Sequence, residues 1–303
     1  MNYVLETQEL TKMYGNTTVV NRVSMHVPEG KIYGLLGRNG AGKTTTMKML
    51  LRMIRITNGK VVLFGKEKNN RKDYQKIGSI IETPGFYKNL SGEENLKLLA
   101  RLHQNVSGDD VRRALETVGL DREGKKQFAS YSLGMKQRLG IAAAIMHHPS
   151  LLILDEPING LDPIGIVEVR SFLRKLSEEE GVTILLSSHI LNEIEQIADV
   201  IGVMDKSNLV EEVALNTLRD NLKSYIDIRV SDIKRTEQIL REQFKVEKCN
   251  VCNNVIRISD LKLCSDEIIR KLVEAKVSVY ELKYSEDSLE NYFETLIGGN
   301  GIA

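Results

Sequence analysis

One stretch of eight residues constrains this chain more than any other. Residues Gly37-Arg38-Asn39-Gly40-Ala41-Gly42-Lys43-Thr44 fit the pattern G-x-x-x-x-G-K-[ST], in which backbone N–H groups cradle phosphate. The apolar residues 32–36 predict a strand before the loop, and residues 45–51 predict a helix after it. Phosphate binds well at such a helix N-terminus. We therefore expect Lys43 to reach the β- and γ-phosphates of a nucleotide and the Thr44 hydroxyl to bind Mg²⁺.

A second feature is a pair of carboxylates that follows a short apolar run. Residues 151–154 are all apolar and predict a buried parallel strand, which ends in Asp155 and Glu156. Asp155 is placed to supply the hard oxygen ligand that Mg²⁺ prefers. Glu156 is placed to face the γ-phosphate and to accept a proton from an attacking water. Alone, this pattern is more typical of a strand running into a polar turn, but the phosphate loop upstream favours a nucleotide site.

Composition argues against several classes of protein. The 303 residues carry a net charge of +1, so no overall field draws the chain to nucleic acid or to an anionic membrane. The longest apolar runs, residues 141–146 and 151–154, are far shorter than the ~18 residues of a spanning helix. Residues 1–6 lack the basic start and apolar core of a signal peptide. We expect no nucleic-acid partner and no direct membrane span.

The cysteines indicate a reducing compartment rather than a disulfide framework, because their number is odd. Cys249 and Cys252 have the C-x-x-C spacing of a metal site, and Cys264 follows them. Zinc usually takes four ligands, however, and every histidine is distant in the sequence. We expect ordinary thiols in or beside strands.

The hydrophobic patterning divides the chain into two regions. Up to residue 214, strand-like runs such as residues 61–64 and 183–186 alternate with helical patterns such as residues 91–104 and 109–119. This alternation is typical of an α/β layered domain. Residues 19–27 alternate in polarity and predict an edge or hairpin strand. The expected first domain covers residues 1–215, with a helical subdomain at about 86–148.

The remaining residues, 216–303, form the expected C-terminal α+β accessory domain. The order of its patterns is βαββαβ followed by a last helix, which indicates a small ferredoxin-like module. The predicted strands are residues 225–230, 246–250, 254–258 and 277–283, and the predicted helices are residues 233–243, 265–275 and 288–296.

A segment upstream of the carboxylate strand carries the resemblance to a known family. Tyr131-Ser132-Leu133-Gly134-Met135-Lys136-Gln137-Arg138 resembles the L-S-G-G-Q signature of the ATP-binding cassette (ABC) ATPases. It keeps Ser132 and Gly134 and departs from the family pattern at positions 131, 133 and 135. In the family, the serine hydroxyl and the backbone amides at this helix start bind the γ-phosphate held by the other subunit. The positive end of a helix suits that use.

Other landmarks of this family follow along the chain. Residues 159–163, Asn-Gly-Leu-Asp-Pro, resemble the D-loop that links the two sites of a dimer, and His189 resembles the switch histidine that contacts the γ-phosphate. Tyr14, beside Gly15, matches the aromatic residue that stacks on adenine. The resemblance implies three sets of site residues. The catalytic residues are Lys43, Glu156 and His189, and the metal ligands are Thr44, Asp155 and Glu82. The nucleotide-binding residues are Tyr14, Gly37, Arg38, Asn39, Gly40, Ala41, Gly42, Lys43, Thr44, Thr45, Ser132, Gly134 and Asp162.

Position 82 departs from the usual family pattern. Most members have a glutamine here that touches Mg²⁺ and the transmembrane partner, whereas this chain has Glu82. Glutamate and the neighbouring residues 83–87 resemble a subgroup of bacitracin transport and lantibiotic self-protection exporters. A carboxylate ~5 Å from phosphate charge costs about 3 kcal/mol per unit charge at an effective dielectric of 20. Either Mg²⁺ coordinates Glu82, the carboxylate takes up a proton, or it swings away until a transporter engages. The plain alternative is a surface glutamate that merely replaces glutamine.

The resemblance implies a P-loop NTPase fold of the ABC ATPase type, with ATP and Mg²⁺ as cofactors. Two copies would close on ATP as a homodimer, hydrolyse it and drive separate transmembrane permease subunits. The chain would then be cytoplasmic and peripheral on the inner face of the membrane. The subgroup implies export of a peptide antibiotic such as bacitracin or a lantibiotic, and hence resistance or immunity.

Two rival classes of protein fit the sequence less well. Cassette ATPases that act on ribosomes or DNA resemble two cassettes in one chain or a cassette split by a long coiled coil. This chain has one phosphate loop and no long heptad run. An ATP-gated clamp that does not hydrolyse ATP would lack Lys43 or Glu156, and both are present.

Overall fold

The computed structural model describes residues 2–82, 85–103, 105–221, 224–244, 246, 249–252, 255–258, 265–286 and 289–296. The chain divides into two compact units, Met1–Asn216 and Thr217–Gly301. Three residues discussed above, Thr83, Pro84 and Cys264, lie outside the described residues.

The first unit contains two sheets and a set of helices. Its strands are β1 (Tyr3–Tyr14), β2 (Thr17–Val23), β3 (His26–Pro28), β4 (Ile32–Gly37), β5 (Asn58–Leu63), β6 (Ile77–Ile80), β7 (Leu151–Leu154), β8 (Thr183–Ser188), β9 (Val200–Asp205) and β10 (Asn208–Ala214). Its helices are α1 (Lys43–Leu50), α2 (Arg71–Tyr74), α3 (Gly92–Ala100), α4 (Gly108–Thr117), α5 (Leu133–Ile145), α6 (Pro163–Glu180) and α7 (Leu191–Glu195), and α8 (Leu215–Asn221) follows at the boundary between the units.

The larger sheet positions the predicted site. Its strand order is β10-β9-β4-β8-β7-β6, with parallel pairing from β9 to β6 and β10 antiparallel at one edge. The carboxyl ends of parallel strands meet at one edge of a sheet, where open α/β sheets bind ligands. The loops after β4, β6, β7 and β8 therefore share that edge, and these loops contain most of the predicted site residues.

The core explains why these segments form strands and why α1 stays in place. Every residue of β4, β7 and β8 is buried, as expected of strands covered on both faces. Met47 and Leu50 of α1 belong to one apolar cluster with Leu35 and Ile153 of the large sheet and Leu5 of β1. The helix after the phosphate loop is thus fixed by packing against both sheets.

The structure corrects the prediction of one strand over residues 19–27. Two strands are present, because the twelve-residue β1 pairs with β2 along its second half and with β3 near its start. The break falls beside Thr7, whose backbone N–H donates to the Met25 carbonyl at 2.9 Å and whose hydroxyl donates to the Val23 carbonyl at 2.9 Å. Side-chain and backbone hydrogen bonds from β1 take the place of a continuous ladder there.

The described part of residues 86–148 contains the three α-helices α3, α4 and α5 and a short 3-10 helix, Phe128–Ser130. Ser91 and Ser107 cap α3 and α4 through reciprocal hydrogen bonds with Glu94 and Asp110. The helix predicted over residues 91–104 ends at Ala100, after which short turns begin and Leu102 is 72% exposed. Apolar spacing extended the prediction too far, since Leu102 does not face the core.

The second unit has the βαββαβ order that the sequence predicts, followed by a last helix. Its strands form a four-stranded antiparallel sheet in the order β12-β13-β11-β14, the ferredoxin-like arrangement. Its apolar core joins residues of the sheet to residues of α9 and α10. The elements are β11 (Ser224–Val230), α9 (Ile233–Phe244), β12 (Cys249–Cys252), β13 (Val255–Ile258), α10 (Ser265–Glu274), β14 (Val279–Glu286) and α11 (Leu289–Leu296).

The strand expected at residues 246–250 is also displaced. Val246 is buried and its N–H donates to the Leu240 carbonyl at 3.1 Å, so this position closes α9, and β12 begins at Cys249. The Cys249 thiol lies 3.5 Å from a Glu237 carboxylate oxygen, and burial is the main cause that raises the thiol pKa. Within the described ranges, no group of three or more histidine, cysteine, aspartate or glutamate side chains could hold a metal ion. No helix in those ranges is both long enough and apolar enough to cross a membrane.

Candidate nucleotide-binding site

The phosphate loop has a backbone that only glycine fits easily. Gly42 adopts φ 106°, and a Cβ atom there would lie 2.6 Å from the Val19 carbonyl oxygen. At Gly37 a Cβ atom would lie 2.5 Å from the Met204 carbonyl oxygen. Both glycines are therefore required for the close approach of the loop to its neighbours.

Lys43 begins α1 and turns back over the loop. Its Nζ donates to the Gly37 carbonyl at 2.6 Å and to the Arg38 carbonyl at 3.3 Å, and lies 3.6 Å from Glu156 Oε1. Burial lowers the pKa of Lys43, while the charges of Glu156 and Asp155 oppose that change. The ammonium group is thus held at the mouth of a loop of N–H groups, where a phosphate anion would complete its hydrogen bonds.

The other predicted loop residues surround the same place. A pocket of about 130 Å³ is lined by Val19, Asn39, Gly40, Gly42, Lys43, Thr44, Thr45 and Glu156. Ala41 is buried, and its N–H donates to the Arg38 carbonyl at 3.1 Å, which closes the turn. The phosphate loop and the predicted general base therefore share one pocket.

Thr44 and Asp155 meet as the sequence predicts. Thr44 Oγ1 donates to Asp155 Oδ2 at 2.7 Å, although the two residues belong to α1 and to the end of β7. Ser187, at the end of the neighbouring strand β8, donates to the other oxygen, Asp155 Oδ1, at 2.6 Å. A hydroxyl and a carboxylate held side by side are hard oxygen donors of the kind that Mg²⁺ takes from proteins. The residues present therefore fit a magnesium ion.

Glu156 is held by several groups in an unusual backbone conformation. Its φ is 48°, in the left-handed region, and its N–H donates to Ser187 Oγ at 2.9 Å. Its carboxylate Oε2 accepts from Asn159 Nδ2 at 3.1 Å and lies 2.9 Å from His189 Nδ1. Left-handed backbone at a non-glycine residue persists where surrounding contacts enforce it, often at functional sites.

Glu82 lies at the same sheet edge but has a different partner. The residue follows β6 with φ 64°, and Lys48 Nζ donates to its Oε1 at 2.5 Å. Its side chain is 67% exposed. Among the described residues, no hydrogen bond or ion pair joins Glu82 to Thr44 or Asp155, the other predicted metal ligands.

The signature residues lie in a separate pocket. Ser132 caps α5, its Oγ accepting the Met135 N–H at 3.2 Å, and Asp162 caps α6 through the Gly165 N–H at 3.0 Å. Ser132, Gly134 and Asp162 line one pocket, which shares no lining residue with that of the phosphate loop. The described structure thus leaves the two predicted halves of the site apart within one chain.

Tyr14 also lies outside the lining of the phosphate pocket. The residue is 52% exposed, and Lys12 Nζ lies 4.6 Å from the centroid of its ring. An exposed ring with a cation nearby is a suitable surface for stacking a base.

The sequence alone does not predict the roles of three site residues: Lys48, Asn159 and Ser187. Asn159 lies within the segment that resembles the D-loop, but that resemblance assigns no role to its side chain. Strand pairing offers a signal for Ser187, because Leu154 of β7 pairs with Leu186 of β8, so the next residues, Asp155 and Ser187, share a position along the edge. The contact between Lys48 and Glu82 joins residues 34 positions apart, and linear spacing gives no sign of it.

Comparison with known proteins agrees with this geometry. A family model described as ABC transporter matches residues 20–159. The bacitracin transport ATP-binding protein BcrA of Enterococcus faecalis is 57% identical over all of this chain and 99% of that protein. BcrA of Bacillus licheniformis is 44% identical over the full length of both chains. The lantibiotic transport ATP-binding protein SrtF of Streptococcus pyogenes is 47% identical over 69% of this chain and 90% of that protein.

Solved structures show the same fold. An ATP-binding subunit of an ABC transporter superposes with a TM-score of 0.64 and 30% identity over 72% of this chain and 92% of that chain. A dimeric ATP-binding cassette in a post-hydrolysis state with ADP and Pi superposes with a TM-score of 0.63 and 22% identity, over 70% of this chain and 98% of that chain. The phosphate loop, the Asp155–Glu156 pair and the full-length relatives lead to one assignment: the chain belongs to the ABC transporter family and is an ATP-binding subunit of such a transporter.

Proposed function

We propose that this subunit hydrolyses ATP and thereby powers export of a peptide antibiotic through separate membrane subunits. The observation that carries the proposal is the placement of Glu156. Its carboxylate shares the phosphate-loop pocket and is held by Asn159 and His189, with Lys43 3.6 Å from its other oxygen. An oriented carboxylate beside a phosphate site has the position that a general base needs.

The chemistry assigns one task to each side chain. Glu156 accepts the proton of the water that attacks the γ-phosphorus, and His189 orients Glu156 and contacts the γ-phosphate. Lys43 and the N–H groups of residues 37–45 stabilise the charge of the phosphates. Because phosphoryl transfer depends mostly on positioning and electrostatics, these fixed donors supply most of what the reaction requires.

The metal proposal concerns Thr44 and Asp155. Their adjoining oxygens would hold Mg²⁺, and Ser187 keeps Asp155 oriented through the second carboxylate oxygen. When bound, Mg²⁺ would neutralise the negative charge that develops on the phosphates during the reaction.

A homodimer would complete the site. Ser132, Gly134 and Asp162 line a pocket separate from the phosphate loop, and Ser132 caps the start of α5, where backbone N–H groups favour anions. A second copy facing the first would bring these groups onto the γ-phosphate. ATP would then stabilise the closed dimer, and loss of the γ-phosphate would open it. Tyr14 is proposed to stack on the adenine.

The proposed partners are transmembrane permease subunits, which would hold this chain at the inner face of the membrane. The cargo follows from the relatives, whose names are bacitracin transport and lantibiotic transport ATP-binding proteins. The proposed cargo thus comes from similarity to these relatives.

Two experiments test the proposal separately. Phosphate release by the purified chain should depend on Mg²⁺ and fall at least about 100-fold in Glu156→Gln, the loss typical of removing a general base; unchanged release would reject the catalytic assignment. Deleting the gene should lower the concentration of bacitracin or of a lantibiotic that is needed to stop growth. The wild-type chain, but not Glu156→Gln, should restore the original concentration. Unchanged sensitivity to both antibiotics would reject the cargo.

A further inference from the structure

Glu82 carries a negative charge near the phosphate loop, and Lys48 forms an ion pair with it. A carboxylate at the carboxyl edge of the large sheet would repel the phosphates of a bound nucleotide. Lys48 Nζ lies 2.5 Å from Glu82 Oε1, which is the geometry of a charge-assisted hydrogen bond. Lys48 lies four residues after Thr44 in α1, so the two residues share one face of the helix.

The surroundings of Lys48 concentrate charge of one sign. The hydrogen bond to Glu82 is the largest cause that raises the Lys48 pKa, the charges of Glu82 and Asp155 act in the same direction, and partial burial opposes them. Lys48 therefore stays protonated. The Lys48 side chain is 27% exposed, compared with 67% for Glu82, so the lysine packs against its surroundings over more of its length than the glutamate does.

We propose that Lys48 is a positioning residue for Glu82: it holds the carboxylate against α1 and cancels its charge beside the nucleotide. This departs from the three alternatives set out for Glu82, since neither metal coordination, protonation nor withdrawal is needed. The inference rests on the proposed function in that it takes the phosphates of ATP to lie beside Thr44. It explains how a chain of this family tolerates glutamate where glutamine is usual.

The pair acts on position and charge rather than on overall stability. Exposed ion pairs contribute little to folding, and double-mutant cycles on such pairs correspond to at most about a fivefold change in an equilibrium constant. The effect on a polyanion is nevertheless measurable at low salt, where screening is weak. Removing only the lysine leaves an uncompensated carboxylate near phosphate, whereas removing both charges restores neutrality.

Binding of ATP without Mg²⁺ tests the charge. A fluorescent ATP analogue would be titrated in EDTA at low salt with wild type, Lys48→Gln, Lys48→Arg, Glu82→Gln and the double variant Lys48→Gln/Glu82→Gln. We expect Lys48→Gln to raise the Kd about three- to fivefold, with Lys48→Arg and the double variant within about twofold of wild type. The effect of Lys48→Gln should shrink at high salt. Lys60→Gln is the matched control, because Lys60 on β5 forms an exposed ion pair with Glu67 at 3.1 Å.

Hydrogen exchange tests the position. Amides of Ile81 and Glu82 should exchange faster in Lys48→Gln than in wild type, and Lys60→Gln should leave them unchanged. A double variant that binds ATP as weakly as Lys48→Gln, or unchanged exchange at Glu82, would overturn the inference. If the wild-type chain binds no ATP at all, the proposed function fails instead, so the two failures are distinguishable.

Discussion

Ser187 donates a hydrogen bond of 2.6 Å to Asp155, and the same hydroxyl oxygen accepts the Glu156 N–H at 2.9 Å. One buried side chain from β8 thus fixes the Asp155 carboxylate and the Glu156 backbone at the end of β7. The two residues have different proposed tasks, since Asp155 is proposed to hold the metal and Glu156 to accept a proton from the attacking water. Their relative placement therefore depends on Ser187.

Replacing Ser187 by alanine should reduce turnover more than it reduces ATP binding. Asp155 loses a donor and the Glu156 N–H loses its acceptor, at a cost of about 1–3 kcal/mol in stability. We expect kcat to fall about tenfold or more. Ser188→Ala is the matched control, because Ser188 donates to Glu193 at 2.5 Å and accepts the Ile190 N–H at 3.0 Å, away from Asp155 and Glu156. Equal turnover in the two variants would contradict the role of Ser187.

His189 and Asn159 should differ in importance even though both contact the same oxygen of Glu156. His189→Ala removes the proposed contact with the γ-phosphate as well as the hydrogen bond to Glu156, so we expect kcat to fall by about 100-fold. Asn159→Ala removes only a neutral hydrogen-bond donor, which lies 3.1 Å from Glu156. Such a bond contributes about 1 kcal/mol, so we expect kcat to fall only severalfold. Steady-state phosphate release measures both. A larger effect from Asn159→Ala than from His189→Ala would contradict the assignment.

Thr44 offers a direct test of the metal position. Thr44→Ala removes a proposed ligand and the hydrogen bond to Asp155, whereas Thr44→Ser keeps the hydroxyl. We expect the Mg²⁺ concentration that supports half-maximal hydrolysis to rise about tenfold or more in Thr44→Ala and to stay near the wild-type value in Thr44→Ser. The same Mg²⁺ dependence in all three proteins would remove Thr44 from the metal site.

Stability should depend on pH through a pair of histidines in the first unit. Burial, then the neighbouring His103, lowers the His147 pKa to about 4; the His147 ring stacks on His103 at 4.4 Å. The unfolded chain titrates near 6.5 and binds more protons than the folded chain between about pH 6.5 and 4. The free energy of unfolding should therefore fall as the pH drops through that window.

Urea unfolding at pH 7 and pH 5 checks this prediction. His147→Gln should lose part of the pH dependence, while His103, whose pKa burial also lowers, accounts for the remainder. Asp110 should not affect this comparison. Hydrogen bonds, chiefly from Ser107 and also from His148, hold the Asp110 pKa below its usual range. The stability that Asp110 contributes is therefore lost only below about pH 4, outside the range that is compared. The same fall in wild type and His147→Gln would show that His147 does not cause it.

The parts of the site that the sequence predicts are those whose chemistry is contiguous in the chain. The phosphate loop is recognisable because a side chain at position 37 or 42 would clash with neighbouring backbone, so glycine is required at both. The two glycines therefore stand at a fixed separation in the sequence. The Asp155–Glu156 pair is recognisable because a buried parallel strand ends there. Both patterns come from backbone constraints, and both place their residues correctly at the edge of the large sheet.

What the sequence does not predict comes from contacts between separate strands and helices. Ser187 reaches Asp155 only because β7 and β8 are neighbours, and Lys48 reaches Glu82 only because α1 begins at the edge of the sheet where β6 ends. The split of residues 19–27 likewise depends on which half of β1 each strand pairs with. Local polarity carries no record of such neighbours, so these features had to be seen in three dimensions.

The central claim is that ATP is bound between two copies, each of which supplies part of the site. Its most direct test is the mass in solution of Glu156→Gln with ATP, measured by light scattering. We predict a dimer with ATP, a monomer with ADP, and loss of the ATP-dependent dimer when Ser132→Arg is added. A wild-type chain that hydrolyses ATP at its full rate while remaining strictly monomeric would contradict the account.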